Sequence, residues 1–243
     1  MPWRARVPWW SDLLARRANL SRVTSETDPT AALADAVSGF VDGFAAEDDV
    51  ITAARGRARE LDCPAVSPAT GAALGLLATT VQARSVVEIG TGTGVSGLHL
   101  LRGMAPDGVL TTIDWEPEFH RAARRVFTSA GYPSGRVRTI TGRALDVLSR
   151  LTSGGYDLVF ADATLAEYPG YFAQGVQLLR PGGVIVLHNV LADLHIGDHG
   201  RRSPELLALR DVARTMRDDD RLRPAVLPLG GGLLAAAVVG PTT

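Results

Sequence analysis

Three carboxylates and a histidine–asparagine pair stand at the ends of short apolar runs: Glu88 in SVVEI, Asp114 in VLTTID, Asp162 in YDLVFAD, and His188-Asn189 after GVIVL. Glu88 opens the stretch EIGTGTGVSG, Glu88–Gly97, which from Gly92 onward spells G-x-G-x-x-G. Alternate glycines let a backbone turn tightly and come close to a ligand, and this pattern is used for dinucleotides. Asp114 follows Gly92 by 22 residues, where an acid binds ribose hydroxyls. NAD and S-adenosylmethionine both carry that ribose, so neither feature separates them. Glu88 does. A pyrophosphate wants the amides of a helix N-terminus and no carboxylate beside it. S-adenosylmethionine carries an ammonium and a sulfonium and no phosphate, so an acid at the strand end favours it. The alternative for Glu88 is a structural acid capping the amides of the loop.

The elements that must position these groups are legible as alternating strands and helices. Ser67-Pro68 marks a helix start, with the helix over Ala72–Val81. Strands are expected at Ser85–Ile89, Val109–Asp114, Val137–Thr141, Tyr156–Asp162 and Gly183–His188. Helices are expected between them at Ser96–Met104, Glu116–Ala130, Ala144–Leu151 and Tyr168–Leu179, with another at Ser203–Arg217. Ala225–Leu229 and Leu233–Val239 read as two strands around the glycines 230–232. The fold class is therefore α/β: a Rossmann-like, doubly wound sheet of seven strands, mainly parallel, with the last strand antiparallel. An N-terminal helical extension precedes it. Residues 30–62 read as helical with an acidic break at Glu47–Asp49. The expected organisation is an extension over 1–25 and a single domain over 26–243, divided into N-terminal helices (26–66) and the Rossmann-like core (67–243).

Composition narrows the functions. The chain has 243 residues, 46% of them hydrophobic, and a formal net charge of −1, which argues against a nucleic-acid binder with a broadly basic surface. Cys63 is the only cysteine, so no intrachain disulfide or cysteine metal cluster can form. There is no lysine, which removes that residue from any mechanism. No run approaches membrane-spanning length and nothing marks secretion, so a cytoplasmic location without a membrane partner is expected. Trp3, Trp9 and Trp10 lie among five arginines in residues 1–25, a composition open to a partner-binding or membrane-surface helix or to an extension with little structure.

The motifs from Val66 to Val239 resemble the class I methyltransferases, specifically the catechol/caffeoyl-CoA type of O-methyltransferase. The resemblance rests on Val66-Ser67-Pro68, EIGTGTGVS, Asp114, Gly142-Arg143-Ala144, FADATLAEYPGY, LLRPGGVIVLHN and the closing LPLGGGL. It implies S-adenosyl-L-methionine as cofactor, with Val66, Glu88, Gly90, Thr91 and Gly94 around its methionine part and Ser96 at its carboxylate. Asp114 would hold the ribose, Arg143 and Ala144 would flank the adenine, and Asp162 would serve the cofactor's amine side and a divalent metal. It further implies a homodimer, with contacts among the helices before Ser67, and a small phenolic or hydroxylated acceptor.

The pattern breaks at the catalytic positions. In the family an Asp-Asn pair joins the acid at Asp162 in holding a cation that binds and activates a vicinal diol. Here the pair is His188-Asn189. Asp162, His188 and Asn189 could hold a zinc-, iron- or manganese-class ion, whereas imidazole suits Mg²⁺ poorly. Leu165 stands at the family's lysine base, and Thr164 replaces an acid. Gly231 replaces an acid in the closing turn. His188, beside Asp162, is the best-placed substitute base. Asp193, His195, Asp198 and His199 follow in a glycine-containing loop, and Tyr168 and Tyr171 either line the site or seat their helix. Methyl transfer needs little acid–base help once a good nucleophile is aligned. Three readings stay open at this point: an O-methyltransferase with a modified, metal-binding or metal-independent site; a cofactor-binding regulatory homologue without turnover; and an NAD-dependent oxidoreductase.

Overall fold

The computed structural model describes residues 29–191 and 203–240. The Trp/Arg-rich segment and the loop residues Asp193, His195, Asp198 and His199 lie outside the described residues. The chain divides at Gly39/Phe40, and the sheet and every residue of the site belong to the larger unit.

Helix α1 (Pro29–Phe44) leads into α2 (Asp49–Glu60), which begins where the Asp48 side chain accepts the Ile51 N–H. Helix α3 (Pro68–Thr80) is capped by Ser67, which accepts the Thr70 N–H, and it has proline in its first turn. Then β1 (Ser85–Ile89), α4 (Val95–Gly103), β2 (Val109–Asp114), α5 (Pro117–Ser129), β3 (Val137–Thr141), α6 (Ala144–Leu148) and β4 (Tyr156–Ala161) alternate. A 3-10 turn at Leu165–Glu167 opens α7 (Tyr168–Leu178), followed by β5 (Leu179–His188), α8 (Pro204–Asp218), β6 (Leu222–Leu227) and β7 (Leu233–Val238).

The seven strands order as β3-β2-β1-β4-β5-β7-β6. Pairs among β1 to β5 are parallel, and β7 runs antiparallel to both of its neighbours. Strand order reverses between β1 and β4, which puts a crevice at their carboxyl ends. Alternation along the strands divides the core. Val86, Leu158 and Phe160 face one layer with Leu74 and Leu98; Val87, Val159 and Ile185 face the other with Tyr168 and Met216.

Some boundaries differ from expectation. β5 begins at Leu179, not Gly183, because Leu179 pairs with Tyr156 across a register shift before Leu158 meets Val184. β6 begins at Leu222 and accommodates Pro224 because it is an edge strand, where a missing N–H costs no ladder bond. Asp162 lies one residue past β4, where its N–H still bonds the end of β1. Among the described residues no helix is long and apolar enough to cross a membrane.

Candidate active site

A cavity of about 640 Å³ opens at the carboxyl ends of β1, β2 and β4. Its floor is the glycine loop, whose backbone is fixed from both sides: Gly90 N–H donates to the Ile113 carbonyl at 2.9 Å, and Asp162 N–H donates to the Ile89 carbonyl at 2.8 Å. Asp114, at the end of β2, accepts the Gly92 N–H at 3.0 Å through Oδ2 and the Glu116 N–H at 3.0 Å through Oδ1. The Thr93 hydroxyl donates to the Ala54 carbonyl at 3.1 Å, pinning the loop to α2.

Glu88 is fully buried and is not among the residues lining this cavity. Its Oε1 accepts the Ser96 hydroxyl at 2.6 Å and its Oε2 accepts the Thr112 hydroxyl at 2.6 Å, with Thr91 Oγ1 2.6 Å further on. The acid thus ties the loop and the first turn of α4 to β2 from behind. Burial raises its pKa to about 7, which the two hydroxyls only partly counter. The pH dependence follows. Below pH 4.5 both folded and unfolded states are protonated; between 4.5 and about 7 only the unfolded state ionises, so stability falls as pH rises. We expect this fall to amount to about 3 kcal/mol. Glu88→Gln keeps the shape and removes the ionisation, so in urea unfolding the variant gains on the wild type between pH 5 and pH 8. A constant difference across that range would show that folding does not raise the pKa of Glu88.

Residues 63–66 form the roof, held by a largely buried ion pair. Arg55 on α2 donates from Nε to Glu47 Oε2 at 2.6 Å and from NH1 to the Val66 carbonyl at 2.5 Å. His99 on α4 shares Glu47 through Nε2 at 3.1 Å. Burial pushes the Glu47 carboxyl up, but Arg55 and His99 outweigh it and hold it below the usual range. Val66 therefore reaches the cavity on a carbonyl clamped from the N-terminal helices. Cys63 also lines the roof, and its thiol is pushed up to about 11 by burial, so it stays a thiol.

At the rim stand Trp115, 76% exposed, and Phe119. Arg143 NH2 donates to Glu167 Oε1 at 3.0 Å, and the Tyr171 hydroxyl donates to Glu167 Oε2 at 2.6 Å. That bond from Tyr171 is the chief cause of a lowered Glu167 pKa, while burial raises that of Tyr171. The two tyrosines divide the roles foreseen for them. Tyr171 lines the cavity, whereas Tyr168 is buried and bonds the ends of β4 and β5, donating toward the His188 carbonyl at 2.8 Å and the Ala161 carbonyl at 3.3 Å.

Asp162 and Asn189 line the cavity; His188 lies behind Asp162, 8% exposed. His188 Nδ1 is 2.9 Å from Asp162 Oδ1. An ionised carboxylate only accepts, so Nδ1 carries the hydrogen. His188 Nε2 is buried and has no hydrogen-bond partner among the described residues. Asn189 sits at φ 63°, and a β-carbon at Gly231 would stand 2.2 Å from Asn189 Oδ1, so the glycine at 231 makes room for this amide. The three residues do not fit a divalent cation as they stand. One Asp162 oxygen is engaged by the His188 N–H, and the lone pair left on His188 Nε2 is buried away from the cavity.

Of the residues singled out in the sequence, Val66, Gly90, Thr91, Ser96, Asp114, Arg143, Ala144, Asp162 and Asn189 meet around one cavity. Glu88, Gly94 and His188 support it from behind. Sequence reasoning missed Cys63, Trp115, Phe119 and Glu167. Trp115 follows Asp114 directly and had that adjacency as its signal; Glu167 had none, since its importance comes from Arg143 across the site.

The O-methyltransferase family model matches residues 51–238, so the chain belongs to the O-methyltransferase family and is a methyltransferase. A protein of Mycolicibacterium vanbaalenii, provisionally named an O-methyltransferase, is 51% identical over 212 residues, covering 86% of this chain and 94% of its own length. Among solved structures, O-methyltransferase TomG of Streptomyces achromogenes, involved in tomaymycin synthesis and solved with S-adenosylmethionine, has a TM-score of 0.78 at 32% identity, covering 84% of this chain and 96% of that one. The O-methyltransferase of Bacillus cereus, solved with S-adenosylhomocysteine, has a TM-score of 0.76 at 28% identity, covering 84% and 97%.

Proposed function

We propose that the chain transfers the methyl group of S-adenosyl-L-methionine to a hydroxyl of a small, phenolic acceptor. The observation that carries this reading is the cavity at the strand-order reversal, walled by the carboxylates of Asp114 and Asp162 with the glycine loop between their strands. The fit to a cationic ligand is chemical. Both acids face the cavity, and the basic group lining it, Arg143, is paired with Glu167. When bound, the cofactor supplies an electrophilic methyl group on a sulfonium. Asp114 would take the ribose hydroxyls, and Trp115 and Phe119 offer an aromatic face to the adenine. Val66, Gly90, Thr91 and Ser96 enclose the methionine end. Asp162 would face both the ammonium and the incoming hydroxyl, with His188 as a positioning residue behind it. Orientation of that hydroxyl supplies much of the rate, since the chain has no lysine base.

The proposal includes a homodimer in the cytoplasm. Helix α1 leaves Leu33, Val37, Phe40 and Phe44 exposed at spacings of four, three and four, a stripe suited to a partner helix. Sedimentation equilibrium of the full chain reads the assembly. For the activity, the protein is incubated with methyl-labelled S-adenosylmethionine and a panel of phenols of graded acidity. We expect label in the phenol ether, faster for the more acidic phenols. Cofactor binding with no transfer to any of them would favour a regulatory homologue instead.

A further inference from the structure

We infer that His188 occupies the role a divalent cation plays in the catechol-type enzymes: its Nδ1–H, not a metal, is the partner of Asp162, and this chain methylates without a bound divalent ion. The inference rests on the cofactor reading above and concerns the acceptor side of the same cavity. Its basis is the set of donors an ion would need. Magnesium- and manganese-class ions take about six oxygen or nitrogen lone pairs. Here Asp162 Oδ1 already accepts a hydrogen 2.9 Å from His188 Nδ1, so the imidazole presents a hydrogen where the ion needs a lone pair. The ring's remaining lone pair, on Nε2, is buried, and His188 does not line the cavity. Bringing Nε2 into the cavity would break the bond to Asp162 and lift the ring from its place 6.3 Å from Phe160. Asn189 does not make up the loss, because its Oδ1 packs toward Gly231 in the turn between β6 and β7.

The imidazole holds the carboxylate, and the missing side chain at 231 gives the neighbouring amide its space. A specificity follows for the acceptor. A cation in this place grips two adjacent oxygens, whereas Asp162 held by His188 offers a single hydrogen-bond acceptor to one hydroxyl. A phenol with one hydroxyl therefore meets everything the site provides, and a second hydroxyl beside it gains nothing.

The test is Mn²⁺ binding to the full chain, followed by the loss of the free-ion paramagnetic resonance signal, with and without S-adenosylhomocysteine. Wild-type protein should leave the Mn²⁺ signal free at millimolar ion. His188→Asp replaces the donor hydrogen by carboxylate oxygens and should bind Mn²⁺ at least about 30-fold more tightly, a gain that a merely structural role would not produce. Sub-millimolar Mn²⁺ binding by the wild type, lost in His188→Ala, would overturn the inference. Failure of both wild type and His188→Asp to bind would overturn the assignment to His188. Calorimetric titration with S-adenosylhomocysteine keeps the two readings apart: its loss refutes the cofactor site, while Mn²⁺ binding alongside intact cofactor binding refutes only the metal-free role.

Discussion

Gly90→Ala should abolish cofactor binding, lowering S-adenosylhomocysteine affinity by at least about 100-fold, roughly 3 kcal/mol. Gly90 has φ +95°, a region that side-chain-bearing residues rarely enter, and a β-carbon there would stand 2.1 Å from the Asp162 carbonyl oxygen. That oxygen is backbone and cannot swing aside. The new methyl must push apart β1 and the segment after β4, stretching the 2.8 Å bond from Asp162 N–H to Ile89 that holds the cavity's two sides together. Asp162 moves with it. A control separates this from backbone strain alone: Gly131 has φ +83° with nothing within 4 Å of the place a β-carbon would take, so Gly131→Ala carries only the conformational cost, about 1–2 kcal/mol of stability, and leaves affinity intact. Calorimetry and thermal melts of the two variants check the contrast. Equal affinities in both would remove the close approach at Gly90 from the account.

Asp114→Ala should weaken S-adenosylhomocysteine by about 30- to 100-fold while the protein stays folded. The carboxylate has two tasks. It accepts the Gly92 and Glu116 N–H groups at 3.0 Å each, which fixes the glycine loop against the end of β2, and it faces the cavity where a ribose would sit. Alanine leaves both amides without that acceptor and removes the ribose partner, so the loss exceeds that of one hydrogen bond. Asp114→Asn retains one oxygen and should fall between, near about 10-fold. The same titration with adenosine alone should show nearly the whole effect, since the change is at the nucleoside end. An Asp114→Ala protein that binds S-adenosylhomocysteine as the wild type does would mean that the nucleoside lies elsewhere.

Much of the fold could be read ahead of the structure because its information is local. Each central strand is a short apolar run closed by a polar residue, and parallel strands buried on both faces must look that way. The glycine loop is equally local, and β5's early start was missed only because its pairing with Tyr156 precedes a register shift. Residues whose meaning depends on a distant partner were harder. Glu88 looked like a ligand-facing acid, and its direction is set by the hydroxyls of Ser96 and Thr112, the latter on another strand. Arg55 is one of several arginines in α2, and nothing nearby distinguishes the one that reaches Val66. His188 read as the best-placed base and also as a metal ligand, because one-dimensional sequence does not say which ring nitrogen points at Asp162.

The most direct measurement is calorimetric titration of the full chain with S-adenosylhomocysteine in EDTA, with NADH titrated in parallel. The account predicts one-to-one binding of S-adenosylhomocysteine, unchanged when Mg²⁺ or Mn²⁺ replaces EDTA, and no heat from NADH. Binding of NADH with none of S-adenosylhomocysteine, or S-adenosylhomocysteine binding that appears only with added metal, would contradict it.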